Sequence, residues 1–135
     1  MKMIGEYLGK IAEFNQIVLR AYVKRLNFGG CEIDEAMRTM YSCFMPPGES
    51  ANIEAITKVF ADRYNEQNPD VFSNPENAFF ISYAIMMLNT DAYNTNLEDK
   101  ARMTLEQFQR MTRTPETEHD PGACTPRAPR FHIRF

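Results

Sequence analysis

The run from Ala78 to Leu88, Ala-Phe-Phe-Ile-Ser-Tyr-Ala-Ile-Met-Met-Leu, leaves this chain few ways to fold. Ten of its eleven residues are apolar or aromatic, and the exception, Ser82, is small. A helix that is apolar on every side needs neighbours on every side, so the run predicts the central helix of a domain. It falls well short of the ~20 apolar residues that cross a bilayer. A buried strand is the competing assignment, but Ala, Met and Leu favour helix. The start is helical too: Ser73-Asn74-Pro75-Glu76 has the Ser-x-x-Glu form of a capping box, with Pro75 where a missing N–H is harmless. The run gives way to Asn89-Thr90-Asp91-Ala92-Tyr93-Asn94, which predicts a polar turn braced at the end of a rigid rod. Functional residues are often carried on loops held in this way.

The flanking segments read as the wrapping. Residues 4–9 predict a short helical piece. Phe14, Ile17, Val18, Ala21 and Tyr22 then recur at helical spacing up to Asn27-Phe28-Gly29-Gly30. Ile33, Ala36, Met37, Met40, Tyr41 and Phe44 repeat the rhythm behind an acidic start, Glu32, Asp34 and Glu35, which suits the positive end of a helix dipole. Met45-Pro46-Pro47-Gly48 stops that helix. Glu49 opens the next, whose apolar positions are Ile53, Ile56, Val59, Phe60 and Tyr64, and Asn68-Pro69-Asp70 breaks it. Thr104-Leu105-Glu106-Gln107 forms another capping box ahead of Phe108 and Met111. From Arg113 onward prolines 115, 121, 126 and 129 fall among Thr, Glu, His and Arg without apolar period, which predicts a disordered Pro/Arg-rich tail over 113–135. The pattern is all-α, with one domain over 4–112.

Bulk composition narrows the function. With 135 residues and 44% hydrophobic content the chain can bury a core of its own. A net charge of −3 and no clustered Lys or Arg argue against nucleic acid and against an anionic membrane surface. Cys31, Cys43 and Cys124 match no metal spacing and fit a reducing cytosol. No apolar leader stands at the N-terminus, so neither signal peptide nor membrane insertion is expected.

Few residues suggest chemistry. Glu49 projects from a stiff Pro-Pro-Gly hinge at a helix start; the plain reading is dipole compensation, typically ~0.3–1 kcal/mol. General acid–base hydrolysis would need a paired carboxylate, His or metal, and the two histidines, His119 and His132, lie in the tail. The Asn/Asp-rich stretch 89–96 lacks the sixth-position Gly of a calcium loop and puts Tyr93 at a ligand position. No phosphate-binding Gly loop occurs, so no nucleotide pocket and no cofactor are expected. Phe79, Tyr83, Met86 and Met87 are core by spacing alone, although Met and aromatics also suit an apolar groove that adapts to a partner.

Two segments together resemble a known family. Phe44-Met45-Pro46-Pro47-Gly48-Glu49 is similar to the Phe-Arg-Leu-Pro-Gly-Glu signature of the Sec-seven domain, the exchange module for ARF GTPases. Ala78 to Asn94 resembles its second signature, Ala-Tyr-x-Leu-Ala-Tyr-Ser-Ile-Ile-Met-Leu-Asn-Thr-Asp-Leu-His-Asn, at matching separation. Ile4-Gly5-Glu6-Tyr7-Leu8-Gly9, Phe60-Ala61-Asp62-Arg63-Tyr64 and Met103-Thr104-Leu105-Glu106-Gln107-Phe108 add to the likeness, which spans residues 4–113.

The resemblance implies a right-handed stack of short helices and an ARF-family small GTPase as partner. It also implies a cytoplasmic protein, peripheral at Golgi or endosomal membranes. Glu49 would be a glutamic finger that expels Mg²⁺ and GDP from the GTPase. Asn94, Phe79, Tyr83, Met86, Met87, Asp91 and Ile53 would contact the partner. No covalent bond is made, and the chain holds no metal or cofactor of its own. Met45 and Pro46 replace the family's Arg and Leu, Ser50-Ala51-Asn52 its Ala-Gln-Lys, and Tyr93 its His. Tyr83 and Asp91 match positions tied to brefeldin binding, but Ala84 stands in the Ser place, so weak sensitivity is expected. The likeness begins some five helical segments into the family domain and stops short of its final helix. A partial domain of this kind is expected to self-associate through exposed apolar surface. The rival reading is a helical fragment that binds ARF, or another helix, without opening its nucleotide site.

Overall fold

A computed structural model describes residues 2–42, 44–45, 50–93 and 102–113. Six helices follow one another: α1 Lys2–Leu8, α2 Glu13–Lys24, α3 Ile33–Tyr41, α4 Ser50–Gln67, α5 Glu76–Tyr93 and α6 Leu105–Thr112. No strand occurs among the described residues, and none of their helices is long and apolar enough to cross a membrane. Of the expected tail over 113–135, residues 114–135 lie outside them.

The core follows from amphipathic faces brought together. On α3, Ile33, Ala36, Met37 and Met40 are buried, and on α4 Ile53, Ile56, Val59, Phe60 and Tyr64 are buried, as their spacing predicts. The broadest helix–helix contact is between α4 and α5; α3 packs on both, α2 on α4, and α6 on α5. Phe28 meets Phe60 edge-on with centroids 5.1 Å apart, and Phe60, Tyr64 and Phe72 continue the aromatic chain. Burying each such side chain stabilises the fold by ~1.5–3 kcal/mol.

The end of α4 is latched to the α2–α3 connection. Buried Asn68 donates through Nδ2 to the carbonyls of Phe28 and Tyr64, and its Oδ1 accepts from the Gly30 amide at 2.8 Å. Gln67 Oε1 accepts from the Phe28 amide at 2.8 Å, and the Tyr64 hydroxyl donates to the Cys31 carbonyl at 2.9 Å. Gly30 has φ of 75°, a left-handed turn that only glycine adopts cheaply. A polar side chain is stable here because every hydrogen-bonding group it brings is matched.

Three expectations change. On α2 the buried residues are Asn15, Leu19 and Val23, whereas Phe14 and Ile17 face outward at 66% and 58% exposure. That helix is apolar around too much of its circumference for spacing to choose a face. On α5 Phe80 is 54% exposed, so the central helix is not wrapped on all sides. The polar stretch after Leu88 is not a turn, because α5 runs on to Tyr93 and the Thr90 hydroxyl donates to the Met86 carbonyl at 2.9 Å. Just ahead of α5, Asn74 Oδ1 accepts from the Glu76 amide at 3.0 Å and so satisfies an amide of the first turn. The capping box at Thr104 forms as expected, with reciprocal bonds to Gln107.

Candidate functional site

α3 packs on both α4 and α5, and a braced segment follows it. Phe44, just beyond α3, is buried between two aromatic edges, Tyr22 at 5.7 Å and Tyr41 at 5.3 Å. The Tyr22 hydroxyl donates to the Met40 carbonyl at 3.3 Å, which fixes that ring against the last turns of α3. Burial pushes the Tyr41 phenol well above its ordinary range, against a smaller opposing effect of the Thr57 side chain, so α3 and α4 meet there through a neutral hydroxyl. Thr57 itself is buried and donates to the Ile53 carbonyl at 2.8 Å.

Gly5 completes the brace. A Cβ at that position would collide with the Met45 carbonyl oxygen and reach the Phe44 ring at 3.2 Å. Hydrogen alone lets α1 lie against the backbone that leads toward residues 46–49. Sequence reasoning did not single out Gly5 or the two tyrosines. The available signal was a glycine inside a helix, which costs ~0.5–1 kcal/mol relative to Ala and so points to close backbone packing.

Of the expected partner-contacting residues, Phe79 and Tyr83 are half-buried and stacked, with centroids 5.9 Å apart and planes at 28°. Met87 follows on the same side at 38% exposure. The three stand at i, i+4 and i+8 and form one row of α5. Met86 and Ile53 do not join them; both are buried and serve the core. Met86 lies one position, or about 100°, round the helix from Met87 and so turns inward. Ala84, beside Tyr83 in the chain, is buried. Glu49 and Asn94 lie outside the described residues, and Asp91 is described only as part of the α5 backbone. What the described part offers is a half-open aromatic and thioether row on α5, which suits an apolar partner surface.

Comparisons with known proteins agree on one family. A family model for the Sec7 domain matches residues 1–122. The chain is 40% identical over 111 residues to "Brefeldin A-inhibited guanine nucleotide-exchange protein 2" of Arabidopsis thaliana, covering 82% of this chain and 6% of that protein. It is 36% identical over 108 residues to "ADP-ribosylation factor guanine nucleotide-exchange factor SEC7" of Saccharomyces cerevisiae, covering 80% of this chain and 5% of that protein. Among solved structures it is similar to the one titled "Structure of ARF1-GDP bound to Sec7 domain complexed with Brefeldin A", with a TM-score of 0.74 and 32% identity over 83% of this chain and 55% of that one. The "Crystal structure of Sec7p catalytic domain" matches with a TM-score of 0.72 and 34% identity, over 83% of this chain and 58% of that one. The chain therefore spans a small part of these full-length relatives and little more than half of the solved domains. Its helices, its two signature segments and these likenesses agree: the chain belongs to the Sec7 domain family.

Proposed function

We propose that the chain docks an ARF-family small GTPase on the α3–α4–α5 face and promotes release of its GDP, at the cytosolic surface of Golgi or endosomal membranes. The observation that carries this reading is the half-open row of Phe79, Tyr83 and Met87 on α5. It stands in a fold with a TM-score of 0.74 to a Sec7 domain solved with bound ARF1-GDP. In this reading the stacked rings and Met87 receive an apolar part of the GTPase, and Asn94 adds a polar contact beyond α5.

Glu49 supplies the chemistry. It follows the braced segment and precedes α4, a position from which a carboxylate can enter the GTPase's nucleotide site. There it would compete with the phosphates for the partner's Mg²⁺ and repel the β-phosphate. Two like charges ~4 Å apart at an effective dielectric near 20 repel by ~4 kcal/mol, about a thousandfold in an equilibrium. No covalent bond forms or breaks. The chain accelerates dissociation, and whichever nucleotide is abundant then rebinds.

The second reading is a binder that recognises the GTPase without opening it. Met45 and Pro46 favour it, because they replace the Arg and Leu of the family signature just before the finger. Release of a fluorescent GDP analogue from a panel of ARF proteins separates the two. Acceleration with added chain supports exchange; binding without acceleration supports the second reading; no binding to any ARF contradicts both.

A further inference from the structure

Gly5 is a glycine without a conformational need for one. Among the described residues only Gly30 has a positive φ, so Gly5 keeps ordinary helical geometry in α1, where Ala would be the better helix former. What excludes Ala is space: an added Cβ would collide with the Met45 carbonyl oxygen and crowd the Phe44 ring. α1 cannot retreat to make that room. Its Leu8 is buried, and buried Asn15 of α2 donates through Nδ2 to the Tyr7 carbonyl at 2.8 Å. Phe44 cannot retreat either, because the Tyr22 and Tyr41 rings close on it edge-on. The backbone of Met45 is thus what must give. Pro46 and Pro47 come next in the chain. Each proline locks its own φ and restricts the residue before it, so a shift at Met45 is passed on toward Glu49 rather than absorbed.

We propose that Gly5 and Phe44 are positioning residues for nucleotide exchange: the close approach of α1 to Met45 sets how far Glu49 reaches into the GTPase's nucleotide site. The proposal rests on the exchange reading above and adds to it a helix outside the docking row. Relieving a collision with a backbone oxygen takes a displacement on the order of 1 Å, and a misplacement of that size far from the chemistry can slow a reaction ~100-fold. Docking should escape. Phe79, Tyr83 and Met87 lie on α5, whereas α1 packs on α2 and α4. The two contacts therefore govern the rate of release and leave affinity for the GTPase to α5.

Release of a fluorescent GDP analogue from an ARF protein, followed against chain concentration at matched folded fraction, tests the proposal. Gly5→Ala should lower the limiting rate ~10–100-fold and leave the half-saturating concentration near that of wild type. Phe44→Leu, which keeps an apolar side chain but loses both ring edges, should do the same to a smaller degree. Asn68→Ala, which breaks the latch at the C-terminal end of α4, should destabilise the chain and leave release per folded molecule unchanged. A double-mutant cycle then asks whether the effect passes through Glu49. In the Glu49→Gln background, with rates taken above spontaneous release, Gly5→Ala should cost little more. Losses that multiply overturn the proposal, as does a matching loss in Asn68→Ala or a fall in affinity that accounts for the slower release. If Gly5→Ala does not fold, Phe44→Leu carries the cycle. Failure of both to fold overturns the proposal, by making these contacts part of the fold alone. Glu49→Gln by itself tells two failures apart. No acceleration by wild type, or equal release with Glu49→Gln, removes the exchange reading and this proposal with it. Slowed release in Glu49→Gln beside normal release in Gly5→Ala removes only the proposal.

Discussion

Two regions of the α4–α5 pair are built on opposite principles. Where α4 ends, Asn68 and Gln67 satisfy the backbone of the α2–α3 connection, and Phe28, Phe60 and Tyr64 are sealed beneath it. Along α5, Phe79 and Tyr83 stack on each other half-open, and Met87 and Phe80 meet solvent. One region spends its contacts on the fold; the other keeps large apolar side chains uncovered. A protein only ~5–15 kcal/mol stable retains uncovered aromatic surface at a cost in solubility, which makes that surface the natural candidate for binding.

The largest difference should appear when an aromatic is removed from each region. Phe60→Ala deletes the ring between Phe28 and Tyr64 and should destabilise the chain by ~3–5 kcal/mol, whereas Phe80→Ala should shift stability by under ~0.5 kcal/mol. Urea melts of both variants check this, and equal losses would erase the distinction between the regions. Next, Tyr83→Ala should cost clearly less stability than Phe60→Ala, since Tyr83 is only half-buried, while weakening the ARF complex by ~2–4 kcal/mol, as an interface anchor does. Titration by calorimetry gives that number, and unchanged affinity would place the docking face elsewhere.

Gly5→Ala comes third and decides between two forces. Helix propensity alone favours Ala by ~0.5–1 kcal/mol, but the new methyl meets the Met45 carbonyl, and overpacking of this kind costs ~1–3 kcal/mol. A lower melting temperature, with slower exchange at matched folded fraction, is the expected outcome; a stabilised variant would show that α1 does not brace the segment. The smallest effect concerns pH. Burial first, and then the nearby acids Glu32, Cys31 and Asp34, push the Tyr64 phenol up to about 12. A raised pKa means the native state holds its proton longer than the unfolded chain does. The resulting stability is present in full below pH ~10 and is lost as pH climbs from there through about 12. Tyr64→Phe should flatten that alkaline loss, at the cost of the bond to Cys31, ~0.5–1.5 kcal/mol at neutral pH. Denaturant midpoints between neutral and alkaline pH report it.

Regular amphipathic helices could be read directly from the chain. The buried faces of α3 and α4 follow from Ile33 to Met40 and from Ile53 to Tyr64, because each carries one apolar stripe. The face of α2 could not be read, since Phe14, Ile17, Leu19 and Val23 between them point in most directions and packing alone selected Leu19 and Val23. Asn89, Thr90 and Asp91 read as helix breakers because their side chains compete for the backbone. In the folded chain Thr90 bonds back to Met86 and remains helical. Asn68 read only as part of a turn, because a buried polar side chain is stable only through partners some 40 residues away in the chain. At the candidate site, the row of Phe79, Tyr83 and Met87 could be read from helical spacing. The burial of Met86 and Ile53, by contrast, depends on how α3, α4 and α5 close around them.

The central claim is that Glu49 acts by its charge in the GTPase's nucleotide site and not merely on the dipole of α4. Glu49→Gln keeps the side chain's shape and removes the charge. GDP release from ARF, measured with wild type and variant at matched folded fraction, should slow by ~10²–10³-fold while ARF binding persists, because the charge acts on the opened complex and the apolar face supplies most of the docking. A dipole role alone would cost under ~1 kcal/mol of stability and leave release unchanged. Equal release rates for the two proteins would contradict the account and leave the chain a binder without exchange activity.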